Sequence, residues 1–149
     1  MVVAAAMLIM AGCERWPVLA HAHFLHLPSA EWLKTQRLNF YPVYDDSTAA
    51  YDLSLALRHD NTYRYRNLSL VADVMAADST TTCHKVDITL ADEYGNWSGG
   101  GFGALYQYRV TIVSGVSPAA ARRVVLRQAM AGCDTLCGVV DVGIIAKPH

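Results

Sequence analysis

The chain predicts an all-β fold, an antiparallel β-sandwich of about seven strands, and three observations carry that expectation. Apolar residues recur with period two in several separate segments, as they do in strands with one wet face. Clusters of turn-forming residues separate those segments, at Asp45-Asp-Ser-Thr48, His59-Asp-Asn-Thr62 and Asp78–Thr82. A helical period of 3.6 surfaces only weakly, around Ser29–Lys34 and Pro118–Arg123, which leaves room for one short helix.

The first element is not a strand. Residues 1–12 carry no charged side chain and form an apolar run closed by Ala11-Gly12 before Cys13. A membrane-spanning helix needs about 20 apolar residues, and this run is shorter, matching the apolar core of a signal peptide. Small residues at 11 and 12 admit a peptidase to the backbone, and the Cys13 thiol is then the attachment point for lipid. One acyl chain binds a bilayer only marginally, whereas two or more anchor it stably. The expected organisation is a lipoprotein signal at 1–12, a lipid-anchored tether at 13–27 and a β-sandwich domain at 28–149.

Within the domain, a strand is expected at Gln36–Tyr41. Tyr51, Leu53, Leu55 and Leu57 then alternate with Asp52, Ser54, Ala56 and Arg58. Leu68, Leu70, Ala72 and Val74 repeat the pattern, as do Val86, Ile88 and Leu90, and then Tyr106, Tyr108, Val110 and Ile112. Shorter runs follow at Arg123–Gln128 and Val139–Ile145. Between the third and fourth alternating runs, Asp92-Glu-Tyr-Gly95-Asn96 reads as a turn in which Gly95 or Asn96 takes positive φ. Glycines 99, 100, 101 and 103 weaken any strand they enter and let a ring approach closely, with Trp97 the nearest candidate. They lead into a strand and lack a following Lys, so they do not form a phosphate loop.

Composition narrows the function classes. A net charge of −1 with 17% charged residues provides no electrostatic grip on nucleic acid. Cys83, Cys133 and Cys137 read as structural thiols, or in an oxidising location as one structural disulfide with the third thiol free, and Cys133-x3-Cys137 lacks the redox spacing. His21-Ala-His23-x2-His26 resembles a ligand run, but it falls in the expected tether with few carboxylates nearby; no metal and no cofactor is assigned. His59, His84 and His149 fall in turns or the tail, and the strand carboxylates Asp52, Asp73, Asp87 and Asp141 read as solvated charges, so no catalytic set assembles. Tyr63, Tyr65, Tyr94 and Trp97 near loops suit either a protein interface or stacking on sugar.

The segment Arg58-x4-Tyr63-Arg-Tyr65-Arg-Asn67-Leu68, followed by Leu90-Ala-Asp92-x2-Gly95-Asn-Trp97-x-Gly99-x-Gly101-x-Gly103, resembles the gliding-motility lipoprotein GldH family. Leu136-x-Gly138-Val-x-Asp141-Val-Gly143 is similar to that family's closing strand, so the resemblance covers most of the mature chain. It implies a lipid-anchored, non-catalytic accessory or assembly protein of the gliding and associated protein-secretion apparatus, with other envelope proteins as partners. Surface-exposed lipoproteins of such bacteria often carry an acidic run after the cysteine. Glu14-Arg15-Trp16 here favours a periplasm-facing anchor instead. The alternative is a carbohydrate-binding envelope lipoprotein. Tyr63, Tyr65, Asn67, Asp92, Gly95 and Trp97 are the candidate signature residues. Asn67 is expected to satisfy loop backbone through its amide, Asp92 to cap the turn completed by Gly95, and Trp97 to lie on the glycines beyond it.

Overall fold

Alternation decides which faces meet. In the computed structural model, which describes residues 20–149 apart from the Phe102 side chain, Tyr51, Leu53, Leu55 and Leu57 enter the core from strand β4 (Tyr51–His59). Leu68, Leu70, Ala72 and Val74 meet them from β5 (Asn67–Met75). Each such leucine, taken fully out of water, contributes about 1.5–3 kcal/mol. The remaining strands are β1 (His21–His26), β2 (Glu31–Leu33), β3 (Leu38–Phe40), β6 (Thr81–Thr89), β7 (Gly100–Phe102), β8 (Leu105–Val116), β9 (Arg123–Gln128), β10 (Thr135–Cys137) and β11 (Val139–Pro148).

Two antiparallel sheets enclose the core. One runs β1-β11-β4-β8-β7 and the other β3-β9-β5-β6, while β2 and β10 form a small third ladder. The sandwich is therefore as expected in class, with eleven described strands rather than about seven. Three of the additional strands, β2, β7 and β10, have only three residues each, too short to display a period.

Two expectations need correction. Residues 21–26 are not tether: they form β1, paired antiparallel with β11 from His21↔Ala146 to His26↔Asp141. Its apolar members are few, but the Phe24 ring covers Gly143, where an added Cβ would fall 2.6 Å from Phe24 Cδ1. Leu27, also placed in the tether, is buried, and its N–H donates to the Val140 carbonyl at 2.8 Å. The expected short helix is absent from both candidate places among the described residues. Each holds a single 3-10 turn, Pro28–Ala30 and Pro118–Ala120. Trp32 explains the first, because it is fully buried through pairing opposite Leu136 and so draws Glu31–Leu33 into a strand.

Register gives the sandwich two distinct ends. His21, Tyr51, Val116 and Pro148 lie at one end, where the chain enters the domain. His26, His59, Tyr106 and Val139 lie at the other.

Candidate functional site

The far end is built around a histidine. His59 closes β4 opposite Val139 on one side and Tyr106 on the other, and its side chain turns inward and is fully buried. Its ring centroid lies 4.4 Å from Trp97, 5.4 Å from Tyr106, and 5.5 Å from both Tyr63 and Tyr108. Trp97 meets it edge-on, whereas Tyr106 and Tyr108 lie within 22° of parallel. Aromatic pairs in these geometries add roughly 0.5–1.5 kcal/mol beyond their area.

Protonation follows from the partners. His59 Nδ1 lies 3.0 Å from the Asp60 carbonyl oxygen, which can only accept, so Nδ1 carries the proton. The neutral ring then leaves Nε2 as a buried lone pair without a donor among the described residues. Burial pushes the imidazolium pKa down, against a smaller opposing pull from Asp60. The Asp60 carboxylate is occupied elsewhere, accepting from Thr62 N at 2.8 Å and Thr62 Oγ1 at 2.6 Å. A general base needs reach to a reacting proton, and this ring instead organises its neighbours.

Two of those neighbours, Tyr63 and Trp97, belong to the signature. Tyr63 is buried, and its hydroxyl, pushed up by burial, donates to the Asn67 carbonyl at 2.8 Å. Asn67 thus takes part through its backbone, while its exposed side chain makes no hydrogen bond among the described residues. Trp97 is half-buried and donates from Nε1 to Asn61 Oδ1 at 3.2 Å. Asp92 Oδ1 accepts from the N–H groups of Tyr94 and Asn96, both at 2.9 Å, and Oδ2 accepts from Asn96 Nδ2 at 3.0 Å. These bonds hold its carboxyl below the usual range, led by those from Asn96. Gly95 completes the turn at φ +84°. That turn presents Tyr94, 82% exposed, and Tyr65 stands 40% exposed nearby, its ring 5.8 Å from Tyr63.

The ring on the glycines is not Trp97. Gly99 is covered by Tyr108, where an added Cβ would lie 2.6 Å from Cζ, and the Gly99 N–H donates to the Tyr108 hydroxyl at 2.6 Å. That hydroxyl donates in turn to the Leu90 carbonyl. Trp97 is claimed by His59, a partner hidden at the sequence level because His59 reads as part of a polar turn. Gly138, at φ +99°, makes a second close approach: a Cβ there would lie 2.6 Å from Tyr63 Cα.

Other candidates scatter. Cys13 lies outside the described residues. Cys83 and Cys137 are exposed, Cys133 is buried, and none is bonded to another, so of the two readings the three stand as thiols. His21 contacts Asp45 at 2.7 Å, His26 contacts Asp141 at 2.9 Å, and His23 packs edge-on against Phe40. No group of three His, Cys, Asp or Glu among the described residues could hold a metal ion. On the outer face, His26, Asp141, Arg58, Gln107 and Gly100 fall in one register row across all five strands. Arg58 lies 4.4 Å over the Phe24 ring, and its Nε donates to Gln107 Oε1 at 3.1 Å. A cavity of about 350 Å³ opens beside Arg58, Gly100, Leu105 and Gln107. Ser114, His149 and Asp52 cluster at the entry end, but His149 Nδ1 faces both Asp52 Oδ1 (2.8 Å) and Ser114 Oγ (3.3 Å). A nucleophilic relay needs a different ring nitrogen for each.

Fold and site together define a β-sandwich domain with one end organised by packed aromatic rings and a carboxylate-capped turn. The chain belongs to the GldH lipoprotein family, whose model matches residues 20–145. It is similar to a curated protein of Christiangramia forsetii described as a gliding motility lipoprotein GldH homolog, at 27% identity over 91% of this chain and 86% of that protein. Among solved structures it is similar to the infectious bursal disease virus VP2 subviral particle, at 9% identity and a TM-score of 0.36. That match covers 89% of this chain and 34% of the viral one, and is too distant to support any argument.

Proposed function

We propose that this protein is a lipid-anchored, non-catalytic accessory or assembly component of the gliding-motility and associated secretion apparatus, acting by protein–protein contact from a periplasm-facing anchor at Cys13. The observation that supports it most is the convergence of the family signature on one end of the sandwich. There Tyr63 and Trp97 pack a buried His59 while the Asp92–Asn96 turn holds Tyr94 out in solvent. Exposed aromatics on a rigid base are what protein interfaces use as anchors, since little side-chain freedom is left to lose. Glycan capture, the alternative, is supported only by the cavity beside Arg58 and Gln107 and by Tyr94. The other rings suited to stacking on sugar are largely occupied inside the domain.

Crosslinking in living cells from a photoreactive residue at position 94, followed by mass spectrometry, tests the reading. Recovery of envelope proteins of the motility or secretion machinery is expected, with no ligand on a glycan array. Array binding without a protein crosslink would replace this proposal by the glycan one. The anchor has its own test: metabolic labelling with an alkyne fatty acid should tag the protein, and Cys13→Ser should abolish the tag.

A further inference from the structure

The two ends of the sandwich differ in what they expose. At the entry end, Tyr41 and Val43 stand 60% and 57% exposed on either side of Pro42, in the segment after β3. This tip lies beside the point where the chain enters the domain: Pro42 and Val43 share a small cavity with His21, Ala22 and His23, and His21 bonds Asp45 in the same loop. On its other side, Tyr41, Pro42 and Tyr44 line a cavity of about 430 Å³ with Pro118, Ala119 and Arg122. A Tyr-Pro-Val tip backed by an Arg is suited to a lipid headgroup layer, where amphipathic rings settle with the polar end wet.

Chain length says what this tip faces. Seven residues lie between Cys13 and His21, eight steps along the chain, and at about 3.3–3.6 Å per step they reach no further than ~29 Å. A lipid on Cys13 therefore holds the entry end within one short span of the bilayer. We infer that the Tyr41-Pro42-Val43 tip rests in the lipid headgroup layer and fixes the domain upright, so that the signature end points away from the membrane. The inference rests on the lipid anchor proposed above and gives that anchor an orientation. The contact is interfacial rather than electrostatic, because the loop itself carries Asp45 and Asp46, with Asp45 bonded to His21, and Arg122 lies across the neighbouring cavity. From Val139 at the far end to Pro148 at the near one, β11 spans ten residues. At roughly 3.3 Å each, this sets the signature about 30 Å above the tip.

The test uses the lipidated protein purified from membranes and returned to vesicles of phosphatidylethanolamine and phosphatidylglycerol. A lipid-soluble diazirine is activated by light, and the labelled peptides are identified by mass spectrometry. Peptides containing residues 41–43 and 118–119 are expected to label strongly, and those containing 92–97 only at background. Tyr41→Ser with Val43→Ser, both at exposed positions, should leave the protein on the vesicles and lower labelling at 118–119 by about tenfold, equivalent to ~1.4 kcal/mol. Vesicle-bound protein labelled at 92–97, or unlabelled at 41–43, overturns the orientation alone. Protein that fails to float with the vesicles overturns the anchor, and the orientation with it.

Discussion

His59 shows how one residue can organise a site without reacting in it. Among the described residues its Nε2 is a buried acceptor with no donor, and leaving such a group unpaired costs about 1–3 kcal/mol. His59→Phe keeps a ring among Trp97, Tyr106 and Tyr108 and removes that acceptor. The Asp60 carbonyl keeps a second donor in the Tyr63 N–H, at 3.3 Å. The variant is expected to be at least as stable as the parent at neutral pH. The folded-state pKa of His59 is depressed below its ordinary 6.5, so its contribution is complete above that pH and is lost as pH falls below it. The advantage of His59→Phe should therefore widen below about pH 6.5, read by thermal melts across the range. Trp97 is the companion case. Because it is half-buried, its truncation to Ala should cost about 2–3 kcal/mol, below the range for a fully buried ring. Tyr94→Ala should leave the melt unchanged and reduce partner crosslinking from a photoreactive residue placed at position 65 instead, which is exposed at the same end. If Trp97→Ala melts like the parent while crosslinking collapses, the signature is itself the contact surface rather than its support.

Among elements, the closing segment from β10 to β11 matters more than its length suggests. Gly138 bonds Ala30 through its N–H at 2.8 Å, and its carbonyl accepts from Asp60 N at 2.9 Å. With φ at +99° and Tyr63 backbone where a side chain would stand, it accepts no Cβ without movement. Gly138→Ala should cost more than ~2 kcal/mol in denaturant unfolding, because positive φ and steric overlap add together. Gly132→Ala is the matched control: it too has positive φ, +66°, but nothing lies within 4 Å of an added Cβ. Its smaller loss would isolate the φ contribution. Equal losses would mean that the close approach to Tyr63 is unimportant.

At the scale of the molecule, the C-terminus is tied back onto the entry end. Asp52 accepts from Gly115 N at 3.0 Å, contacts His149 Nδ1 at 2.8 Å and accepts from the Ser114 hydroxyl. Those hydrogen bonds, Ser114's first, hold its carboxyl down at about 2, against an ordinary 3.8. A depressed carboxyl contributes stability above its unfolded pKa and loses it as pH falls through the folded one. Asp52→Asn should therefore melt below the parent at pH 6, and the gap should close between about pH 4 and pH 2. A gap that persists at pH 2 would assign the loss to packing instead.

Local chemistry was enough for much of this. Strands β4, β5, β6 and β8 follow from alternation, because apolar residues at every second position mark the face turned to the core, and β9 and β11 follow from short apolar runs. Asp92 and Gly95 show their turn in the same way, since capping and positive φ are properties of neighbouring residues. Contacts between distant segments left no such trace. β1 is a strand because β11 offers an edge and Gly143 leaves room for Phe24, neither of which is visible from His21–His26. The partner of Trp97 is a histidine 38 residues earlier, and the ring on Gly99 comes from β8. Register across β4, β8 and β11 brought His59, Tyr106 and Val139 to one end, and pairing of β3 with β9 in the other sheet carried Tyr41–Val43 to the opposite end, beside the chain's entry. Pairing between strands far apart in the chain is settled by which faces can be buried together, and that is a property of the folded whole.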